Sequence, residues 1–303
     1  MTTTPIVRFL DRTTPPHIVT LVMLAGVSAL NMSVFLPSLS HMTDYFDTDY
    51  ATMQLAVSGY LAATAVLQII VGPLSDRYGR RLLTLWALAI FVVASVGALT
   101  ATSVAMFLTF RIMQATVASG MVLSRAIVRD MVPQDQAASM IGYVTMGMAL
   151  IPMIGPTIGG ALEQFFGWQA SFVFLAIAGI CVWTLAYFDQ GETVKSGGIS
   201  FAAQVRSYPD LLASPRFWGY ALCAAFGSGA FFAFLGGAAY VADVLHGLSP
   251  LMTGIAFGAP AIGYAFGNYL SGRYSVSVGI NRMALYGNSV AAVGMGLSLA
   301  ITV

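Results

Sequence analysis

The chain has 303 residues, of which 58% are hydrophobic and 8% charged, with a formal net charge of +1. A mean hydropathy of +0.81 lies outside the range of a soluble domain, and the near-zero charge removes bulk electrostatics as a basis for nucleic-acid binding. There is no Gly-x-x-x-x-Gly-Lys-Ser/Thr loop to cradle a nucleotide, which argues against an ATP-driven pump. The two cysteines, Cys181 and Cys223, sit in apolar runs without metal-site or disulfide spacing, and are expected to be small buried hydrophobes. The 31 glycines and 16 methionines suit closely packed membrane helices.

Nine apolar runs have the length that crosses a hydrocarbon core as a helix, about twenty residues: 18–38, 53–73, 82–102, 104–128, 137–163, 168–188, 217–241, 251–271 and 283–303. The polar stretch through Pro16 followed by a full-length run reads as a first membrane helix. The basic residues fall on alternate connections. Arg8 and Arg12 precede the first run; Arg77, Arg80 and Arg81 follow the second; Arg125 and Arg129 follow the fourth. Lys195, Arg206 and Arg216 follow the sixth, and Arg273 and Arg282 the eighth. The opposite connections carry Asp44, Asp47, Asp49, Glu163 and Asp243 and no Lys or Arg. By the positive-inside rule this predicts a cytoplasmic N-terminus.

The first run ends Asn31-Met32-Ser33-Val34-Phe35-Leu36-Pro37-Ser38-Leu39. Pro37 is tolerated near the exit of a membrane helix and can bend it. The string resembles the end of helix 1 in the Bcr/CflA-type (bicyclomycin/chloramphenicol-resistance) drug–proton antiporters of the major facilitator superfamily. Many of those carry an acid where this chain has Ser33, and a second proline where it has Ser40. Between the second and third runs lies Gly72-Pro73-Leu74-Ser75-Asp76-Arg77-Tyr78-Gly79-Arg80-Arg81, expected to be a tight polar turn with its arginines in water or headgroups. Gly-x-x-x-Asp-Arg-x-Gly-Arg-Arg resembles the superfamily's loop between helices 2 and 3. The resemblance implies a latch that holds two halves together in the outward-facing state, here built from Gly72, Asp76, Arg77, Gly79, Arg80 and Arg81.

The fourth run holds Arg111-Ile112-Met113-Gln114. Arg111 lies about 10 Å along a helix from Val104, at a depth where insertion of arginine costs about 2.5–3.5 kcal/mol, so a functional role is the default expectation. The Arg-x-x-Gln pair resembles the superfamily's helix 4 motif, with Ala115 in place of the usual glycine. Arg111 is expected to be a fixed positive charge facing a central cavity near Asn31 and Gln114, disfavouring cationic substrates. The same run exits through Ser124-Arg125-Ala126-Ile127-Val128-Arg129-Asp130, again similar to the Bcr/CflA group. Asp130 and Asp76 are placed to pair with the loop arginines, which adds Arg129 and Asp130 to the expected latch. The fifth run contains Gly147-x₇-Gly155-Pro156-Thr157-Ile158-Gly159-Gly160. Its prolines remove backbone donors and its glycines open a face for close helix approach. The string resembles the antiporter motif of drug–proton exporters.

Residues 189–214 form the one long polar connection, with a possible amphipathic surface helix over 200–212. Leu74-Ser75-Asp76-Arg77-Tyr78 returns as Leu270-Ser271-Gly272-Arg273-Tyr274, each copy at the end of the second run of its half, without the aspartate in the second. The expected architecture is an all-α polytopic membrane protein of major facilitator fold. It comprises a six-helix domain (1–188), a cytoplasmic linker (189–214) and a partial second domain of three helices (215–303). By the repeat, about three helices are expected to be missing and the chain to be C-terminally truncated. The expected activity is proton-coupled export of drug-like small molecules across the bacterial inner membrane. Asn31, Ser33, Phe35, Arg111, Gln114, Phe231 and Phe234 are expected along the substrate and proton pathway. Phe232 and several methionines are further candidates for an adaptable wall. The partners are a small-molecule substrate, protons and membrane lipid, with no cofactor, metal or nucleic acid, in a monomer. Export of a sugar or nucleoside, or a non-transporting fragment, are the alternatives. An intramembrane enzyme is disfavoured because His17, His41 and His246 lie near run ends and no run holds a carboxylate pair.

Overall fold

The computed structural model describes residues 7–132, 134–194, 206 and 209–302. The helices are α1 (Ile18–Ser33), α2 (Leu39–Tyr45), α3 (Tyr50–Met53), α4 (Leu55–Tyr78), α5 (Arg80–Leu99), α6 (Val104–Met113), α7 (Ser119–Met131), α8 (Gln134–Phe166) and α9 (Gln169–Asp189). After the linker come α10 (Pro215–Tyr240), α11 (Pro250–Ala256), α12 (Gly258–Val278) and α13 (Ile280–Thr302). Six helical stretches among the described residues are long and apolar enough to cross a membrane: Ile18–Tyr45, Tyr50–Tyr78, Arg80–Leu99, Val104–Met131, Gln169–Asp189 and Pro215–Phe234. The long helices α8, α12 and α13 occupy the positions of the remaining three predicted spans.

Local chemistry sets the helix starts. Ser103, Ser214 and Ser249 each accept a backbone N–H from three residues on, and Pro215 and Pro250 take the first helical positions, where a missing N–H costs nothing. Among the described residues two spans pass through 3₁₀ turns. The first passes through a 3₁₀ turn at Leu36–Ser38, where Pro37 withholds its N–H. The fourth passes through a 3₁₀ turn at Gln114–Ala118, which no proline or glycine announces.

The segment 72–81 is not a turn. Helix α4 continues through Gly72 and Pro73 to Tyr78, and the reversal is made at Gly79 alone, with φ 99°. A side chain at Gly79 would also strike the carboxylate of Glu192, so this position requires glycine on two counts. The second half repeats the device: α12 runs four residues past Tyr274, and Gly279, with φ 89°, leads directly into α13.

The first six spans enclose an aromatic core in which Phe172 packs against Phe35, Phe107 and Trp168. Many large apolar side chains of α10–α13 are exposed, among them Phe226, Ile262 and Val290, as suits a hydrocarbon solvent. The cysteines depart from expectation: Cys181 is exposed on α9 and Cys223 is only half-buried on α10. Apolar periodicity alone does not say which side of a membrane helix faces its neighbours. The expected surface helix at 200–212 and the residue Lys195 lie largely outside the described residues.

Candidate functional site

Arg111 is the largest fully buried side chain among the described residues, 1% exposed. Helix α6 ends two residues later and the 3₁₀ turn begins at Gln114, which tightens the chain so that Arg111 and Gln114 share one acceptor–donor set. Arg111 Nη1 donates to Asn31 Oδ1 at 2.8 Å and to Gln114 Oε1 at 2.7 Å. Its Nη2 donates to the Asn31 carbonyl at 2.8 Å and its Nε to the Ala56 carbonyl at 3.0 Å. Gln114 in turn donates to Ser95 Oγ at 2.8 Å. The guanidinium carbon lies 4.1 Å from the Phe35 ring centroid and 4.3 Å from that of Tyr60. Among the described residues no carboxylate pairs with it. Neutral oxygens and two aromatic faces therefore hold the charge, the arrangement in which a desolvated cation gains most from π contact.

This geometry corrects one expectation. Arg111 is outside the lining of the cavity between the halves; it ties α1, α4 and α6 together inside the first six spans. The cavity lies on the other side of the same helices. It has a volume of about 660 Å³ and is walled by Ala29 and Met32 of α1, Leu61, Thr64, Ala65 and Gln68 of α4, Met121, Met148 and Pro156. Across from these stand Gly227, Ser228, Phe231, Phe232, Phe257, Pro260 and Tyr264 of the second half. Residues 29 and 32 thus point to the cavity while Asn31 between them points to Arg111, as helical rotation dictates. None of the lining side chains is charged.

Of the residues expected along the pathway, Phe231 lines the cavity. Phe35 is buried between Arg111 and Phe172. Ser33 is 2% exposed and faces Gly155. Phe234 stands 6.5 Å from the lining residue Phe257, between ring centroids, and is itself outside the lining.

Helix α8 runs unbroken through Pro152 and Pro156. A methyl group at Gly155 would strike Ser33, and one at Gly159 would strike the Val34 backbone, so these glycines seat the end of α1. Gly160 meets the Pro250 backbone and Gly254 the Pro156 backbone, and Thr157 donates to the Gly254 carbonyl at 3.1 Å. The two halves meet along this seam. Gly147 belongs to α8, and its surroundings lie outside the described residues.

At the other end of the molecule, Arg80 pairs with Asp76 at 2.5 Å and with Asp130 at 3.1 Å, and bonds Ser75. Glu192 accepts the backbone N–H groups of Arg80 at 2.8 Å and Arg81 at 3.2 Å, capping α5 where Gly79 has no side chain to do so. Thr193 donates to Asp130 at 3.2 Å. Arg81 reaches the Tyr187 carbonyl at 2.9 Å. Arg77 lies over the Tyr78 ring, and Arg129 is exposed and forms no ion pair among the described residues. The hydrogen-bond and ion-pair partners of Arg80, Arg81, Asp76 and Asp130 lie in α4, α5, α7, α9 or the segment after α9. Among the described residues the cluster joins helices of the first half to the start of the linker and makes no bond to the second half. Glu192 was not foreseen from sequence.

Helices long and apolar enough to cross a membrane, two sets of them meeting at a glycine-rich seam, and an uncharged cavity between the sets together define a multi-pass membrane protein. The chain belongs to the Major Facilitator Superfamily, whose family model matches residues 21–303; its members are transporters, not enzymes. It is 32% identical over 251 residues to a chloramphenicol resistance protein of Pseudomonas aeruginosa, covering 82% of this chain and 59% of that protein. It is 27% identical over 256 residues to the multidrug resistance protein D of Escherichia coli, covering 84% and 64% respectively. The likeness to Bcr/CflA-type drug transporters seen in short motifs therefore extends over most of the chain. A bacterial homologue of the human lysosomal transporter Spinster, solved in an inward-facing and unoccupied conformation, shares the fold with a TM-score of 0.73 at 21% identity, covering 87% of this chain and 63% of that one. The chain spans less than two thirds of the length of each of these three proteins.

Proposed function

We propose that this chain forms the first domain, linker and part of the second domain (1–188, 189–214 and 215–303) of a proton-coupled exporter of drug-like, largely apolar small molecules. It would act as a monomer in the bacterial inner membrane, with the Arg80 end at the cytoplasm. The observation that carries the reading is the cavity between the halves. Its wall combines methionines 32, 121 and 148 with Phe231, Phe232, Phe257 and Tyr264, and offers few polar groups. Flexible thioethers and aromatic faces adapt to varied apolar ligands, and a few hydroxyl and amide groups orient them. The drug-resistance names of the relatives support the substrate class, and the one-sided basic loops support the orientation. Because Arg111 stands behind the wall, no fixed charge in the cavity discriminates against cations. Selection rests on apolar shape.

The test is chloramphenicol accumulation in cells expressing a protein in which this chain is joined to a completed second domain, with and without a protonophore. Lower accumulation that the protonophore abolishes is expected; accumulation equal to that of empty cells overturns the reading. Orientation is checked in the same cells. A cysteine replacing Asp47 should react with an impermeant thiol reagent added outside, and one replacing Arg129 should not. The reverse pattern overturns the sidedness.

A further inference from the structure

Among the described residues two acids are more than nine-tenths buried, and their surroundings differ. Asp189 is fully buried but accepts three donors: the Leu10 N–H at 2.6 Å, the His17 N–H at 2.8 Å and the Thr20 hydroxyl at 2.6 Å. These three bonds anchor the N-terminal segment. Glu163 is 8% exposed, and one of its oxygens, Oε2, is buried with no hydrogen-bond partner. Its other oxygen lies 2.8 Å from His41 Nδ1. A buried carboxylate with an orphan oxygen is costly as an anion, whereas a carboxyl that takes up a proton loses that cost.

We propose that His41 and Glu163 form a proton-binding site at the seam between the two halves. The inference rests on the proton-coupled reading above and supplies the titrating group that Ser33 cannot. Glu163 is one helical turn beyond Gly160, which meets the Pro250 backbone of the second half. His41, on α2, is 45% exposed in its side chain, so the pair reaches water. Two further charges act on the imidazole: Asp44, on the same helix, and Asp243, in the helical turn Val241–Leu245 of the second half. The site is thus one imidazole among three carboxylates contributed by both halves. Parting the seam withdraws Asp243 from His41 and admits water to Glu163. Proton affinity must then differ between the closed and parted seam, and by linkage the proton biases the seam in return. In the cycle, the Glu163 carboxylate takes a proton from the compartment it faces and returns it to water when its surroundings change, with His41 as the hydrogen-bonded relay.

The experiment is pH-difference infrared spectroscopy of the purified chain in lipid nanodiscs, reading the C=O stretch of a protonated carboxyl. The expected result is a titrating carboxyl band that is lost in Glu163→Gln and whose midpoint moves by about half a pH unit or more in Asp243→Asn. A wild-type band set that Glu163→Gln leaves unchanged, or no titrating band in the wild type, overturns the site. A midpoint that Asp243→Asn does not move overturns its coupling to the seam. Thermal unfolding followed by tryptophan fluorescence controls for folding, and Glu163→Asp is measured in parallel to restore the band should Glu163→Gln fold poorly. Absence of any protonophore effect on wild-type accumulation would sink the proton-coupled reading, while the infrared result judges the site independently.

Discussion

Replacing Arg111 with alanine should be the most damaging single change in the first half. The guanidinium makes four hydrogen bonds and stacks between Phe35 and Tyr60. Without it, Asn31 Oδ1 and Gln114 Oε1 lose their donor in a dry interior, at about 1–3 kcal/mol each. Each desolvated ring contact is worth about 2 kcal/mol. Against this, the cost of holding an arginine at that depth disappears, about 2.5–3.5 kcal/mol. The net loss is about 2.5–7.5 kcal/mol, a melting shift on the order of 10 °C. Arg111→Lys keeps the cation but not the planar fork of donors, and should lose roughly half as much. Replacing Arg111, Asn31 and Gln114 together with Met, Leu and Leu removes donor and acceptors at once and should recover most of the stability. The assay is thermal unfolding of the purified protein in detergent, followed by tryptophan fluorescence. An alanine variant melting within about 2 °C of the wild type, or a triple variant no better than the single one, would refute the account of the buried knot.

Two glycines of neighbouring motifs should respond oppositely to alanine. Gly159→Ala drives a methyl into the Val34 backbone and should cost about 1–3 kcal/mol, whereas Gly72 is helical with nothing within 4 Å of an added Cβ, so Gly72→Ala should be neutral or stabilising by about 0.4–1 kcal/mol; unfolding measurements that rank the two the other way contradict the packing. At the start of α3, the Thr52 N–H at 2.6 Å and its hydroxyl at 2.9 Å hold the Asp49 carboxyl below the ordinary aspartate value. A folded-state value depressed in this way stabilises the cap above the unfolded value of about 4 and loses it as pH falls through the folded one. Amide exchange over residues 50–53 should therefore be slower in the wild type than in Asp49→Ala at neutral pH and converge in acid; equal rates at neutral pH would show that Asp49 caps nothing.

Much of this protein follows from the chain read as a string. Apolar run length decides how many helices can cross a membrane, because hydrocarbon leaves no unpaired backbone polar group unpenalised. The basic residues crowd onto alternate connections, and Gly155, Gly159 and Gly160 lie along one helix, so a tightly packed fifth span was legible before any coordinates. Direction and partnership were not. Ala29, Asn31 and Met32 are nearly adjacent, yet only a packed neighbour decides that the first and last wall a cavity while Asn31 holds Arg111. Segment 72–81 reads as a turn because it is charged, but α5 already has its cap in Glu192, more than a hundred residues away, and needs only Gly79 to reverse. His41 and Glu163 have nothing in common in the sequence; the fold of α2 back against α8 places them 2.8 Å apart. Period and composition are local, set by each helix against its solvent. A buried charge finds its partners only when distant helices close around it, since the cost of leaving it unpaired is incurred by the assembled core and not by the segment that carries it.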